Sequence, residues 1–122
     1  MPENLSPTIL MEIKQLSEAL TPSLIKIRRE LHQHPELSGE ESWTAAYLAE
    51  KLDRLGLDVK SAVGGHGLVA DLISDPAKGT VALRVDMDAL PIQEINNVSY
   101  RSRFPGLMHA CGHDVHSAIG IG

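Results

Sequence analysis

Apolar positions in the first third of the chain recur at helical spacing. Ile9, Ile13, Leu16 and Leu20 fall on one helical face. Ser6-Pro7 ahead of them is a start signal, a capping hydroxyl followed by a residue whose fixed φ suits the first helical position. Thr21-Pro22 repeats that signal, so the pattern predicts a break there and a second helix carrying Leu24, Ile27 and Leu31. This helix is expected to stop at His34, because the ring of Pro35 crowds a helical residue before it. After a polar stretch over 35–39, Trp43, Tyr47, Leu48, Leu52 and Leu55 outline the buried face of a third helix. Gly56 stands where a left-handed closing residue belongs.

Beyond Gly56 the period changes. Strands are predicted over 57–63, 68–73 and 80–85, with a turn at Gly64-Gly65 and a loop over 75–79. From Asp86 to His113 the chain is expected to be irregular, holding Pro91, Pro105, Gly106 and Gly112. A further helix is expected near Asp114, whose carboxylate is suited to cap it. The apolar run from Val115 to Gly122 ends without a cap or a polar tail, so the chain reads as cut rather than finished. There is no internal repeat and no low-complexity segment. Helices ahead of a strand run predict an α/β class: a mixed sheet flanked by helices, incomplete at the C-terminus. The unpaired sheet edge and uncovered apolar surface of such a piece predict poor stability and self-association.

Composition narrows the setting. The 122 residues suffice for one modest domain, and 43% hydrophobic with 22% charged residues is ordinary globular material. Aromatic residues are 3%, so the core must come mainly from Leu, Ile, Val and Ala. Eleven basic against sixteen acidic residues give a net charge of -5, which argues against a nucleic-acid face or a polybasic membrane surface. A single cysteine, Cys111, excludes an internal disulfide framework and favours a reducing compartment. The first ten residues include Glu3 and lack an apolar core, unlike a secretory signal. No run reaches the roughly 18 apolar residues of a membrane span. The expected location is cytoplasmic. The glycosylation-like tripeptide Asn97-Val98-Ser99 carries little weight without a signal peptide.

Three segments hold candidate chemistry. In His109-Ala110-Cys111-Gly112-His113-Asp114-Val115-His116, soft and borderline metal ligands crowd together. In extended backbone, residues two apart share a side, so Cys111 and His113 could present a thiolate and an imidazole together. That donor pair suits zinc, and imidazole also suits manganese, nickel or iron sites. The same residues fit a buried cysteine beside surface histidines equally well. In Arg84-Val85-Asp86-Met87-Asp88-Ala89-Leu90-Pro91, two carboxylates leave the end of a predicted strand. They could hold a metal-bound histidine, or be solvated turn residues, which is the commoner role. The third segment, 28–41, reads by itself as a charged helix end, a turn and a helix start, with Glu40-Glu41 favoured by the helix dipole.

Taken in order, RRELHQHPELSGEE, LRVDMDALPIQE and GLMHACGHDVH resemble the metal-dependent amidohydrolases that include hippurate hydrolases, N-acyl-amino-acid deacylases and auxin-conjugate hydrolases. This group is related to aminoacylases and zinc carboxypeptidases. The resemblance runs from about Leu24 to Gly122 and implies that residues 1–122 are the N-terminal portion of a catalytic domain, without the lid and dimerisation domain. It implies that Cys111 and His113 bind divalent metal, zinc or manganese first and nickel or cobalt as alternatives. It makes Asp88 the carboxylate orienting that site, with Asp86 the alternative should the alignment slip by two. His109, Asp114 and His116 would shape the site. The implied substrate is an N-acyl amino acid or related amide, with no nucleic-acid or membrane partner, and a homodimer only in a longer form. The family's general-base glutamate and later ligands have no counterpart here, and Glu40-Glu41 belongs to the first motif.

Two other readings stand beside this one. One is a non-catalytic truncated remnant with at most weak metal binding. The other is a cysteine hydrolase with Cys111 as nucleophile and His113 as base, although residues two apart rarely reach each other in that geometry.

Overall fold

The computed structural model describes residues 5–73, 75 and 78–122. Glu3 and the loop residues Pro76 and Ala77 therefore lie outside the described residues.

The first helix, α1 (Pro7–Gln33), begins as expected: Ser6 is its N-cap and Pro7 opens it. The Ser6 hydroxyl accepts the Ile9 N–H at 3.3 Å. The expected break at Thr21-Pro22 does not occur, and Pro22 sits inside the helix. A threonine caps only if its hydroxyl faces forward, and here Thr21 Oγ1 donates backward to the Ser17 carbonyl at 2.8 Å. Ser23 Oγ likewise donates to Leu20 O at 2.7 Å. These side-chain bonds occupy carbonyls around the point where proline removes a donor. The helix ends on His34, ahead of Pro35. Its burial is uneven. Leu31 is 1% exposed, whereas Ile13 and Leu16 of the predicted first stripe are 48% and 57% exposed.

The second helix, α2 (Ser42–Arg54), closes at Leu55, with Gly56 at φ 78°. It buries Thr44, Ala45 and Leu48, while Leu55, expected on the buried face, is 59% exposed. Its start also differs from expectation. The carboxylate at the helix end is that of Glu36, which accepts Trp43 N–H at 3.0 Å and Thr44 N–H at 2.6 Å. Glu41 instead accepts the Gly39 N–H at 2.8 Å.

The strands β1 (Asp58–Val63) and β2 (Gly67–Asp71) form a two-stranded antiparallel sheet, with Val59 opposite Ala70. Its register shifts between Lys60 and Val63, where Ala62 adopts φ 59°. The expected strand over 80–85 does not form. An extended apolar run becomes a strand only when a neighbour takes its backbone bonds, and among the described residues none does. Val81 and Leu83 are accordingly 97% and 75% exposed.

The remaining element, α3 (His113–Ile121), packs on α1 and α2. Its start near Asp114 is as expected, but Asp114 does not cap it: the N-cap is Gly112, with no side-chain bond. Val85 lies so close to Gly120 that a Cβ there would stand 3.2 Å from its methyl group. The irregular stretch over 86–112 is pinned at two points. A parallel bridge joins Leu37 to Ala89, and an antiparallel bridge joins Leu90 to Met108. The three sequence motifs are thereby drawn to one place, over a core of Leu31, Ala45, Leu48, Ala89 and Ala118. No described helix is long and apolar enough to cross a membrane.

Candidate functional site

Gly112 adopts φ 83°, a left-handed conformation that side chains resist, and it separates Cys111 from His113 at the start of α3. Cys111 is exposed. His113 meets the second motif, because the Leu90–Met108 bridge brings residues 86–90 alongside. Its Nδ1 lies 2.8 Å from Asp88 Oδ1 and 3.0 Å from the Asp88 carbonyl oxygen. Facing two acceptors, Nδ1 carries a proton and donates, so in the neutral ring the lone pair is on Nε2. Among the described residues Nε2 has no partner. A histidine held in this way, one nitrogen on a carboxylate and the other open, is arranged as metal-site histidines are.

Asp86 is placed differently. Its carboxylate accepts from Arg84 Nη2 at 3.2 Å on the exposed side, and its carbonyl accepts from Ser117 Oγ at 3.1 Å. Of the two aspartates, only Asp88 is joined to His113. His116 is exposed, its ring 5.7 Å from that of His113. Among the described residues, no three His, Cys, Asp or Glu side chains are grouped so as to hold a metal ion. The expected ligands Cys111 and His113 are thus not part of such a group: Cys111 is exposed and His113 is bonded to Asp88.

Asp114, expected to shape the site, belongs to a buried polar network whose other members, Arg28, His32 and Glu94, had been given no role. His32, on the last turn of α1, has both nitrogens engaged: Nδ1 is 2.8 Å from Asp114 Oδ2 and Nε2 is 3.0 Å from Glu94 Oε1. Arg28, one turn earlier, donates from Nε to the same Asp114 oxygen at 2.8 Å. Glu94 also accepts the Ser102 N–H at 2.6 Å. Burial opposes its charge, yet the Ser102 N–H, the His32 ring and the Asn96 amide together hold its carboxyl below the usual range. His109 is 4% exposed, and among the described residues neither of its ring nitrogens has a partner, nor does Asp114 Oδ1. Burial pushes the His109 ring below its ordinary pKa and so toward the neutral form, against the pull of Asp114 and Asp88. The signal for the network was the spacing of Arg28 and His32, four apart beside the apolar stripe of Leu24, Ile27 and Leu31. Glu94 carried no periodic signal.

Residues 82–122 match the family described as peptidase family M20/M25/M40. A probable hydrolase of Synechocystis is 51% identical over 115 residues, which are 92% of this chain and 29% of that protein. An N-acyl-L-amino acid amidohydrolase of Geobacillus stearothermophilus is 45% identical over 91% of this chain and 30% of its own length. A solved Bacillus subtilis structure, described as a dinuclear metal-binding peptidase of the M20 family, superposes with a TM-score of 0.80 at 38% identity. It covers 85% of this chain and 30% of that one. The chain thus spans less than a third of the length of these relatives.

Proposed function

We propose that this chain, whose residues 82–122 match peptidase family M20/M25/M40, supplies part of a divalent-metal site for hydrolysing the amide bond of N-acyl amino acids or related amides. The observation that carries this reading is the 2.8 Å contact between His113 Nδ1 and Asp88 Oδ1, which leaves Nε2 open. Cys111 and His113 hold the ion, and Asp88 fixes the ring and raises its basicity as a ligand. Asp86, tied to Arg84, takes no part. Zinc or manganese suits the donors, with nickel or cobalt as alternatives. The ion, when bound, supplies Lewis acidity toward an amide carbonyl and toward water.

Residues 1–122 are in this reading the N-terminal portion of a metallo-amidohydrolase catalytic domain. Two protein donors do not complete a catalytic site, which takes three and a water. Hydrolysis is therefore expected only from a protein that supplies the rest, including a general base. Glu36 and Glu41 do not provide that base, since their carboxylates are committed to backbone N–H groups around the start of α2.

The test is amine release from N-acyl amino acids by the protein as its gene encodes it. Chelation should abolish turnover, and zinc or manganese should restore it. Asp88→Asn should cost about 10- to 100-fold in activity or metal affinity, and Asp86→Asn should not. Turnover that survives chelation would favour Cys111 as a nucleophile. No turnover with any metal would leave the non-catalytic reading.

A further inference from the structure

We infer that the buried chain Glu94–His32–Asp114–Arg28 is a positioning device that sets the first turn of α3 and so aims His113. The inference rests on the reading of His113 as a metal ligand.

Its members come from three separate segments. Arg28 and His32 stand on α1, Glu94 lies in the irregular stretch, and Asp114 follows His113 directly. Asp114, Glu94 and His32 are 1%, 2% and 2% exposed. Asp114 Oδ2 is gripped from two directions, by Arg28 Nε at 2.8 Å and His32 Nδ1 at 2.8 Å. His32 is itself fixed from behind by Glu94 Oε1 at 3.0 Å. Glu94 is tied to its own segment by the Ser102 N–H, and Tyr100 of that segment lies under the guanidinium groups of Arg28 and Arg29, 5.0 and 4.7 Å from its ring centroid.

Helix dipole complementarity does not account for this. An aspartate in a first helical turn gains from the dipole while solvated, and needs neither burial nor two charged partner groups. Buried ion networks are also weak sources of net stability, because desolvation offsets their attraction. What a network of this kind does supply is a single arrangement of the groups it joins. The group next to Asp114 is His113, whose other constraint is the Asp88 contact. Two anchors one residue apart thus determine where the ring sits: Asp88 holds its Nδ1, and the buried chain holds the backbone turn that carries it. Glu94 and His32 act through Asp114 and do not touch His113.

Cobalt(II) titration of the metal-free protein tests this, because a bound thiolate gives a charge-transfer band. Glu94→Gln and Arg28→Met are compared with Glu36→Ala, which disrupts the buried start of α2 away from this network. Arg28 is 29% exposed at its side chain, so its replacement leaves a smaller hole than a change at His32. Glu94→Gln and Arg28→Met should each weaken cobalt affinity by about tenfold or more and alter the ligand-field bands. Glu36→Ala should lower thermal stability and leave affinity and bands unchanged. The inference is overturned if both network variants bind cobalt as the parent does, or if Glu36→Ala weakens binding equally. A parent protein with no thiolate band, or one whose band survives Cys111→Ser, overturns the metal-site reading itself and the inference with it.

Discussion

Burial makes a carboxylate depend on its donors, and Glu94 depends on three: the Ser102 N–H, the His32 ring and the Asn96 amide. Its carboxyl is held below the ordinary value. A group depressed in this way contributes its stability in full above the unfolded carboxylate pKa, about 4, and loses it as pH falls through the lowered native value. Denaturant unfolding followed downward from about pH 7 should therefore show the parent losing stability more steeply below about pH 4 than Glu94→Gln does. Equal slopes would contradict the assignment. At this scale the sequence was legible where the chemistry is local, as with the start of α3 beside Asp114. Asp88 was preferred to Asp86 by resemblance alone, because the residue that meets His113 is set by long-range bridges that no local pattern specifies. His32 and Glu94, 62 positions apart, could not be paired from the sequence.

Helix boundaries were readable because caps are local chemistry. Ser6 and Pro7 start α1, His34 ends it before Pro35, and Gly56 follows α2. Pro22 misled because the destination of the Thr21 hydroxyl, forward as a cap or backward onto Ser17, is not written in the residue types. If Pro22 only interrupts an otherwise continuous helix, Pro22→Ala should stabilise the protein, by at most about 3 kcal/mol, and raise its helical circular dichroism. A loss of stability would show that the proline is required. The start of α2 depends on Glu36, six residues before Ser42. Removing this carboxylate in Glu36→Ala should cost about 1 kcal/mol, the usual worth of an N-terminal cap, measurable by denaturant midpoint. The strand expected over 80–85 failed for a different reason: its pattern is that of a strand, but pairing needs a partner that no local pattern specifies.

Across the whole molecule, apolar surface is left uncovered. Val81, Ile95, Leu72 and Ile73 are 97%, 90%, 83% and 79% exposed, and much of the first half of α1 faces outward. Surfaces of this kind drive association. The 122-residue chain alone should sediment above its 13.2 kDa monomer mass in a concentration-dependent way. A monodisperse monomer with a sharp, reversible thermal transition would contradict this. What the molecule does achieve is the gathering of three motifs at one site, through the Leu37–Ala89 and Leu90–Met108 bridges and the His32 network. The central claim is that Cys111 and His113 hold the metal. X-ray absorption of the zinc-loaded protein, as its gene encodes it, tests that claim most directly. A sulfur shell near 2.3 Å beside nitrogen near 2.0 Å is predicted, with the sulfur lost in Cys111→Ser and nitrogen scattering reduced in His113→Ala. A zinc shell without sulfur, or one unchanged by both substitutions, would contradict the account.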